Sequence, residues 1–234
     1  MPAITDIPIR LSSEDIARHW NRHSGRQLAP SLRNNLHELL AGLETGQWLD
    51  CAVHYRILDI TGRGPGWLSV GETRLDSAVV AEYLHQATHL VCGVCTLGQP
   101  LMQQIRSWFA EKKHLHAVLL DEIGTLLLYK IGEYFELLMC EQAKAMGLQA
   151  SSALNPGDNG FDLCWQGTVL ELAGGSAVGV TMQGSGTLSP HKSLTSVIGL
   201  GRDMPARSRA ERCQDCGSRH RCPHSLALPA GVEA

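Results

Sequence analysis

Aromatic residues are scarce: three Phe, four Tyr and five Trp make up 5% of the 234 residues, and none follows Trp165. The segment beyond it has no side-chain ring on which a base could stack, so no nucleic-acid partner is expected. Net charge is small as well, −3, which by itself neither favours nor opposes a polyanionic partner. Long apolar runs are missing. No window approaches the roughly 18 consecutive apolar residues of a spanning helix, so no membrane partner is expected. The opening MPAITDIPIR lacks a basic-then-apolar stretch, and the protein reads as cytoplasmic, with its eight Cys mostly reduced.

Generic catalytic signatures are also missing. Thr61-Gly62-Arg63-Gly64-Pro65-Gly66 is not followed by the Gly-Lys-Ser/Thr of a phosphate loop and reads as a plain turn. No Gly-x-Ser-x-Gly occurs, and Gly184-Ser185-Gly186 lacks the strand-turn-helix surroundings that activate a serine. Asp121 and Glu122 are neighbours on a predicted helix and point roughly 100° apart, so they make no acid and base pair. These absences exclude a recognisable hydrolase or kinase.

What is present is a globular composition, 44% hydrophobic and 18% charged, in a chain long enough to bury a real core. Ser12-Ser13-Glu14-Asp15 has the acid-after-serine signature of a helix start, and Pro30-Ser31 opens a second helix with Leu32, Leu36, Leu39, Leu40 and Leu43 on one stripe. Cys51 to Leu58 alternates like a half-buried strand. Ser77 to His85 reads as a helix and His89 to Gly98 as a buried strand. In that strand Cys92 and Cys95 point to opposite faces, which suits two small buried hydrophobes better than a redox or metal pair. Pro100 opens a helix with Leu101, Ile105, Trp108 and Phe109 on one face. From Leu115 every fourth residue to Met139 is apolar, and Gly147 ends this longest helix. Gly124 and Gly132 inside it each cost about 1 kcal/mol relative to Ala and imply close approach by another backbone. Cys164, in Asp162-Leu163-Cys164-Trp165, reads as core.

The Gly- and Pro-rich stretch Leu148 to Asp203 follows. Asn155-Pro156-Gly157-Asp158 is a turn, and Ser189-Pro190-His191-Lys192-Ser193 leads into the apolar LTSVIGL. Such residues leave backbone amides and carbonyls at a surface, which suits a large flat ligand and also suits ordinary tight turns. Thr96-Leu97-Gly98, Leu119-Leu120-Asp121-Glu122-Ile123-Gly124, Asn155-Pro156-Gly157 and Ser189-Pro190-His191-Lys192-Ser193 occur in that order. Together they resemble the landmarks of the cobalamin-dependent methionine synthase activation domain family and its stand-alone relatives, across residues 67 to 203. Periodicity alone gives only a mixed α and β domain. The resemblance implies an α+β fold, a twisted, largely antiparallel sheet flanked by helices, that binds S-adenosylmethionine and docks a cobalamin domain.

Three positions depart from the family pattern. Tyr129 stands where the acid for the ligand's ammonium is expected, Ala153 where an Arg would fork onto its carboxylate, and Asp158 where a Tyr follows the turn. Charged hydrogen bonds of that kind are worth roughly 1.5 to 3 kcal/mol each, so weak or no S-adenosylmethionine binding is expected. The second loop, with Ser189, Pro190, His191, Lys192 and Ser193, resembles the part that faces the corrinoid. His191 is a candidate contact, since imidazole is a common axial ligand, and Lys192 a candidate partner for a corrin amide or phosphate. Asn155, Pro156, Gly157, Asp158 and Tyr129 complete the candidate cofactor-binding set.

The carboxyl-terminal segment is different in kind. Arg202 to His224 carries six Arg against Asp203, Glu211 and Asp215. Within it Cys213, Cys216 and Cys222, with His224 or His220, have the spacing of a metal site. Zinc, an iron-sulfur cluster and free thiols on a basic tail all remain open readings. The iron-sulfur centre is favoured because reactivating a corrinoid requires electrons. The expected organisation is a helical extension over 1–48, an α+β domain over 49–203 and a Cys- and Arg-rich appendage over 204–234.

The resemblance implies an accessory protein of corrinoid-dependent methyl transfer that docks a corrinoid or its carrier protein, or a methyltransferase, and supports reductive reactivation. With no homocysteine, folate or cobalamin-carrying module in the sequence, the cobalamin would come from elsewhere. A non-catalytic metal-binding interaction protein on the same fold is the alternative.

Overall fold

A computed structural model describes residues 3–24, 30–158, 160–184, 186–205 and 209–215. Helix α1 (Ser13–Ser24) starts as its sequence dictates: Asp15 N donates to Ser12 Oγ at 3.1 Å and Ser12 N to Asp15 Oδ2 at 3.0 Å. This reciprocal pair satisfies two amides that the first turn would otherwise leave open. Helix α2 (Pro30–Glu44) follows, and its Leu36, Leu39 and Leu43 are buried in the main core.

Six strands form one antiparallel sheet in the order β3-β2-β1-β4-β8-β5. They are β1 (Ala52–Gly64), β2 (Trp67–Val70), β3 (Thr73–Leu75), β4 (Ala87–Thr96), β5 (Gln149–Ala150) and β8 (Ser193–Gly201). The central strands β4 and β8 are buried almost throughout, because helices cover both faces and leave no solvated side to alternate toward. On one face Val91, Cys95, Ile198 and Leu200 pack beneath α5 (His114–Ala145). On the other, Leu90, Cys92, Val94 and Val197 pack with α3 (Ala78–Tyr83) and α6 (Gln166–Ala173). Cys92 and Cys95 therefore do face opposite ways.

Helix α5 uses its apolar repeat as a spine: Leu119, Ile123, Leu127, Ile131, Phe135 and Met139 are all buried. Each such side chain contributes roughly 1.5–3 kcal/mol on burial. Gly147, at φ +70°, ends the run just beyond α5. Helix α4 (Gln99–Ala110) packs along it.

Several expectations need correction. The strand predicted to break at Thr61 continues to Gly64, since Gly62, Arg63 and Gly64 pair with Ser69, Leu68 and Trp67. Only Pro65-Gly66 turns the hairpin. Ala52 to Tyr55 are all buried, because α6 closes the face that alternation assigned to solvent. Phe109 and Leu115, assigned to core stripes, are exposed. They sit around the α4 to α5 corner, beyond the sheet. Cys164 is exposed as well, in a short 3-10 turn (Leu163–Trp165) before α6. The glycines of α5 accommodate side chains rather than a backbone: Leu101 and Lys192 at Gly124, and Leu194 at Gly132. The run after α6 folds into a separate hairpin, β6 (Thr181–Gln183) with β7 (Thr187–Ser189). Among the described residues no helix is long and apolar enough to cross a membrane.

Candidate functional site

Strand β4 ends where β8 begins, with Thr96 opposite Ser193. Ser193 Oγ donates to Thr96 Oγ1 at 2.8 Å, and Gly98 N donates to the same oxygen at 3.1 Å. Leu97 N donates to the Lys192 carbonyl at 2.9 Å. These bonds tie Thr96-Leu97-Gly98 to Lys192 and Ser193. Gly98 sits at φ +79°, where a Cβ would meet the Asp50 carbonyl oxygen at 2.7 Å. Only glycine allows the chain to turn into α4 at that point.

The other side of the loop meets α5. Lys192 Nζ lies 2.9 Å from Asp121 Oδ1 and donates to Thr125 Oγ1 at 2.9 Å, with its side chain only 13% exposed. Gly124 eases the passage, since a Cβ there would fall 2.8 Å from Leu101 Cδ2 and 3.3 Å from Lys192 Cε. Pro190, after a cis peptide bond from Ser189, is buried, whereas His191 is exposed.

The first turn approaches from the far edge of β8. Leu154 bridges Val197 antiparallel, with backbone bonds of 2.9 and 2.8 Å. The chain from Leu154 to Gly157 consequently advances toward the Ser193 end of β8. Asn155 Nδ2 donates to Asp158 Oδ2 at 2.8 Å, Asp158 N to the Asn155 carbonyl at 3.0 Å, and Gly157 N to the Phe161 carbonyl at 2.7 Å. Leu163 lies against both Gly157 and Gly186, at 3.5 Å from each Cβ position, which brings the β6–β7 hairpin beside the turn. Pro156 is buried; Gly157 and Asp158 are exposed.

Strand β8 also buries two hydroxyls, one on each face, Thr195 Oγ1 and Ser196 Oγ, with no hydrogen-bond partner among the described residues. An unsatisfied buried group of this kind costs roughly 1–3 kcal/mol. Sequence reasoning missed them, although two hydroxyls inside an otherwise apolar strand were a visible signal. It also left Thr96, Asp121 and Thr125 without a role.

Three thiols are held in the protonated form by their surroundings. Desolvation pushes Cys92 up to about 12 and Cys95 higher still, and burial with the nearby Asp50 charge pushes Cys51 to about 11. A thiolate at neutral pH is correspondingly rare at each. Of the proposed metal ligands, Cys213 is half-buried on α7 (Arg209–Asp215), while Cys216, Cys222 and His224 lie outside the described residues. No group of three or more His, Cys, Asp or Glu among the described residues is placed to hold a metal ion.

No family model matches the chain, and no curated protein matches it. A solved structure, the MetH reactivation domain bound to AdoHcy, superposes with a TM-score of 0.62 over 93% of this chain and 86% of that one, at 12% identity. The fold is that of the MetH reactivation domain. At this identity the likeness concerns architecture, and the side chains must speak for themselves. Within the MetH reactivation domain fold, three of the four sequence landmarks converge through Lys192 and Ser193, and the fourth lies toward the same end of β8. Tyr129 is half-buried on α5, and Ala153 is buried.

Proposed function

We propose that this protein is an accessory of corrinoid-dependent methyl transfer, docking a corrinoid or the protein that carries it on the face formed by Asn155–Asp158 and Ser189–Ser193. One observation carries this reading: the antiparallel Leu154 to Val197 bridge directs the first turn toward the strand end from which the second loop springs. The fold neighbour, a reactivation domain, supports the same functional class.

The residues present fit a corrinoid in chemical kind. His191 is an exposed imidazole, an axial ligand class for cobalt, on a loop anchored at both ends. Gly157, also exposed, leaves backbone uncovered in the first turn. A corrinoid bound there would supply the cobalt chemistry, and this chain would orient it and exclude water.

S-adenosylmethionine and AdoHcy bind weakly on this reading, because Tyr129, Ala153 and Asp158 replace the charged clamp and Asp158 is spent on Asn155. The reductive role rests on Cys213, Cys216, Cys222 and His224. Anaerobically purified protein with a broad band near 400 nm supports electron delivery. Colourless protein carrying stoichiometric zinc supports instead a non-catalytic metal-binding role on the same fold. Docking itself is tested by calorimetry with cobalamin and with a corrinoid-carrying protein. Saturable binding that weakens on His191→Ala supports the reading, and no heat with either titrant ends it.

A further inference from the structure

Lys192 is oddly placed for a ligand contact. Its ammonium is held by Asp121 at 2.9 Å and Thr125 at 2.9 Å, and its stem passes α5 at Gly124, where a Cβ would lie 3.3 Å from Lys192 Cε. Its carbonyl accepts from Leu97 N, and the next residue, Ser193, is bonded to Thr96. Pro190, two residues before Lys192, is buried, so the exposed residue of Ser189–Ser193 is His191.

We propose that Lys192 is a positioning residue: its ion pair with Asp121, laid across Gly124, bolts the Ser189–Ser193 loop to α5 and holds His191 outward in one arrangement. The loop's other ties are the Thr96 and Leu97 bonds beside β4 and the pairing of Ser189 with Thr181 in the hairpin. A rigid loop loses less conformational freedom when a flat partner settles on it, so the bolt acts on affinity through His191 rather than by touching the partner. A long cation would gain nothing from a solvated position here. Placed over a helical glycine, it converts a side chain with several rotatable bonds into a strut. This inference deepens the docking reading and rests on it for its functional consequence, though not for its structural one.

The test uses the full chain with Lys192→Met, which keeps the stem and removes the charge, Lys192→Arg, which keeps the charge, and Asp121→Asn, which removes the partner's charge at a half-exposed site. Hydrogen exchange of the Leu97 amide, which donates to the loop's Lys192 carbonyl, is followed as the loop's exchange alongside cob(II)alamin affinity. Lys192→Met and Asp121→Asn are expected to speed loop exchange about tenfold while β4 and α5 amides stay protected, and Lys192→Arg to restore most of the protection. Unchanged loop exchange in both variants, or a rise spread equally over α5 and β4, overturns the strut. If Lys192→Met does not fold, Asp121→Asn decides alone. Cob(II)alamin affinity is expected to fall with the loop's protection. Wild-type protein that binds no cobalamin overturns the docking reading, and the exchange result still decides the strut.

Discussion

Gly93 of β4 and Phe135 of α5 occupy one another's space: a Cβ on Gly93 would lie 2.3 Å from Phe135 Cζ. The ring fills the gap the missing side chain leaves at the centre of the sheet, and Tyr55 tilts against it at 5.7 Å between centroids. Gly93→Ala is expected to cost about 1–3 kcal/mol by overpacking. Phe135→Leu, made in addition, should recover part of that loss. Chemical denaturation of both variants checks it, and a cost that the second change fails to reduce would show that the strain lies elsewhere.

The orphan hydroxyls of β8 give a prediction of opposite sign. Thr195→Val removes a buried group that finds no partner among the described residues, so it should raise the stability of the ligand-free protein by about 1 kcal/mol. A fall of similar size in the same denaturation experiment would mean that the hydroxyl is bonded in solution.

Thiol chemistry separates the cysteines. Cys164 is exposed and its thiol is raised above the ordinary value, first by its hydrogen bond to Asp162. A raised thiol carries less thiolate at pH 8, so alkylation there is slow for an exposed cysteine. Asp162→Asn retains an oxygen that can accept from Cys164 N and removes the charge. The alkylation profile should then move to lower pH, with faster reaction at pH 8. Cys92 and Cys95 should label only after unfolding, which mass spectrometry of the modified peptides reads directly.

The rewritten donor pocket is tested by restoration. Calorimetry should show AdoHcy binding weaker than micromolar, and Tyr129→Glu with Asp158→Tyr should tighten it about tenfold or more, one regained charged contact being worth about 1.5 kcal/mol or above. Micromolar binding by the unaltered chain would refute the inferred loss.

Patterns with strong periodicity were legible in the sequence. The Ser12 and Asp15 start of α1, the fourfold repeat of α5 and the two-faced placement of Cys92 and Cys95 follow from local geometry alone. Burial was harder to read. His54 looks solvent-facing by alternation, yet α6 covers it and the Ala173 carbonyl meets its Nδ1 at 2.6 Å. Gly62 and Gly64 read as breakers, but β2 pairs with them while the Trp67 ring occupies the side of Gly64. At the candidate site the landmarks Asp121, Gly124 and Lys192 were visible one by one. Their meeting depends on how β8 crosses α5, a relation between residues about seventy apart that no local pattern encodes.

The most direct test of the central claim is a titration of cob(II)alamin with the full chain, followed by visible and electron paramagnetic resonance spectra. The account predicts saturable binding that is weakened by His191→Ala, with the fold unchanged by circular dichroism. Cobalamin spectra that stay those of the free cofactor at the highest protein concentration would contradict it.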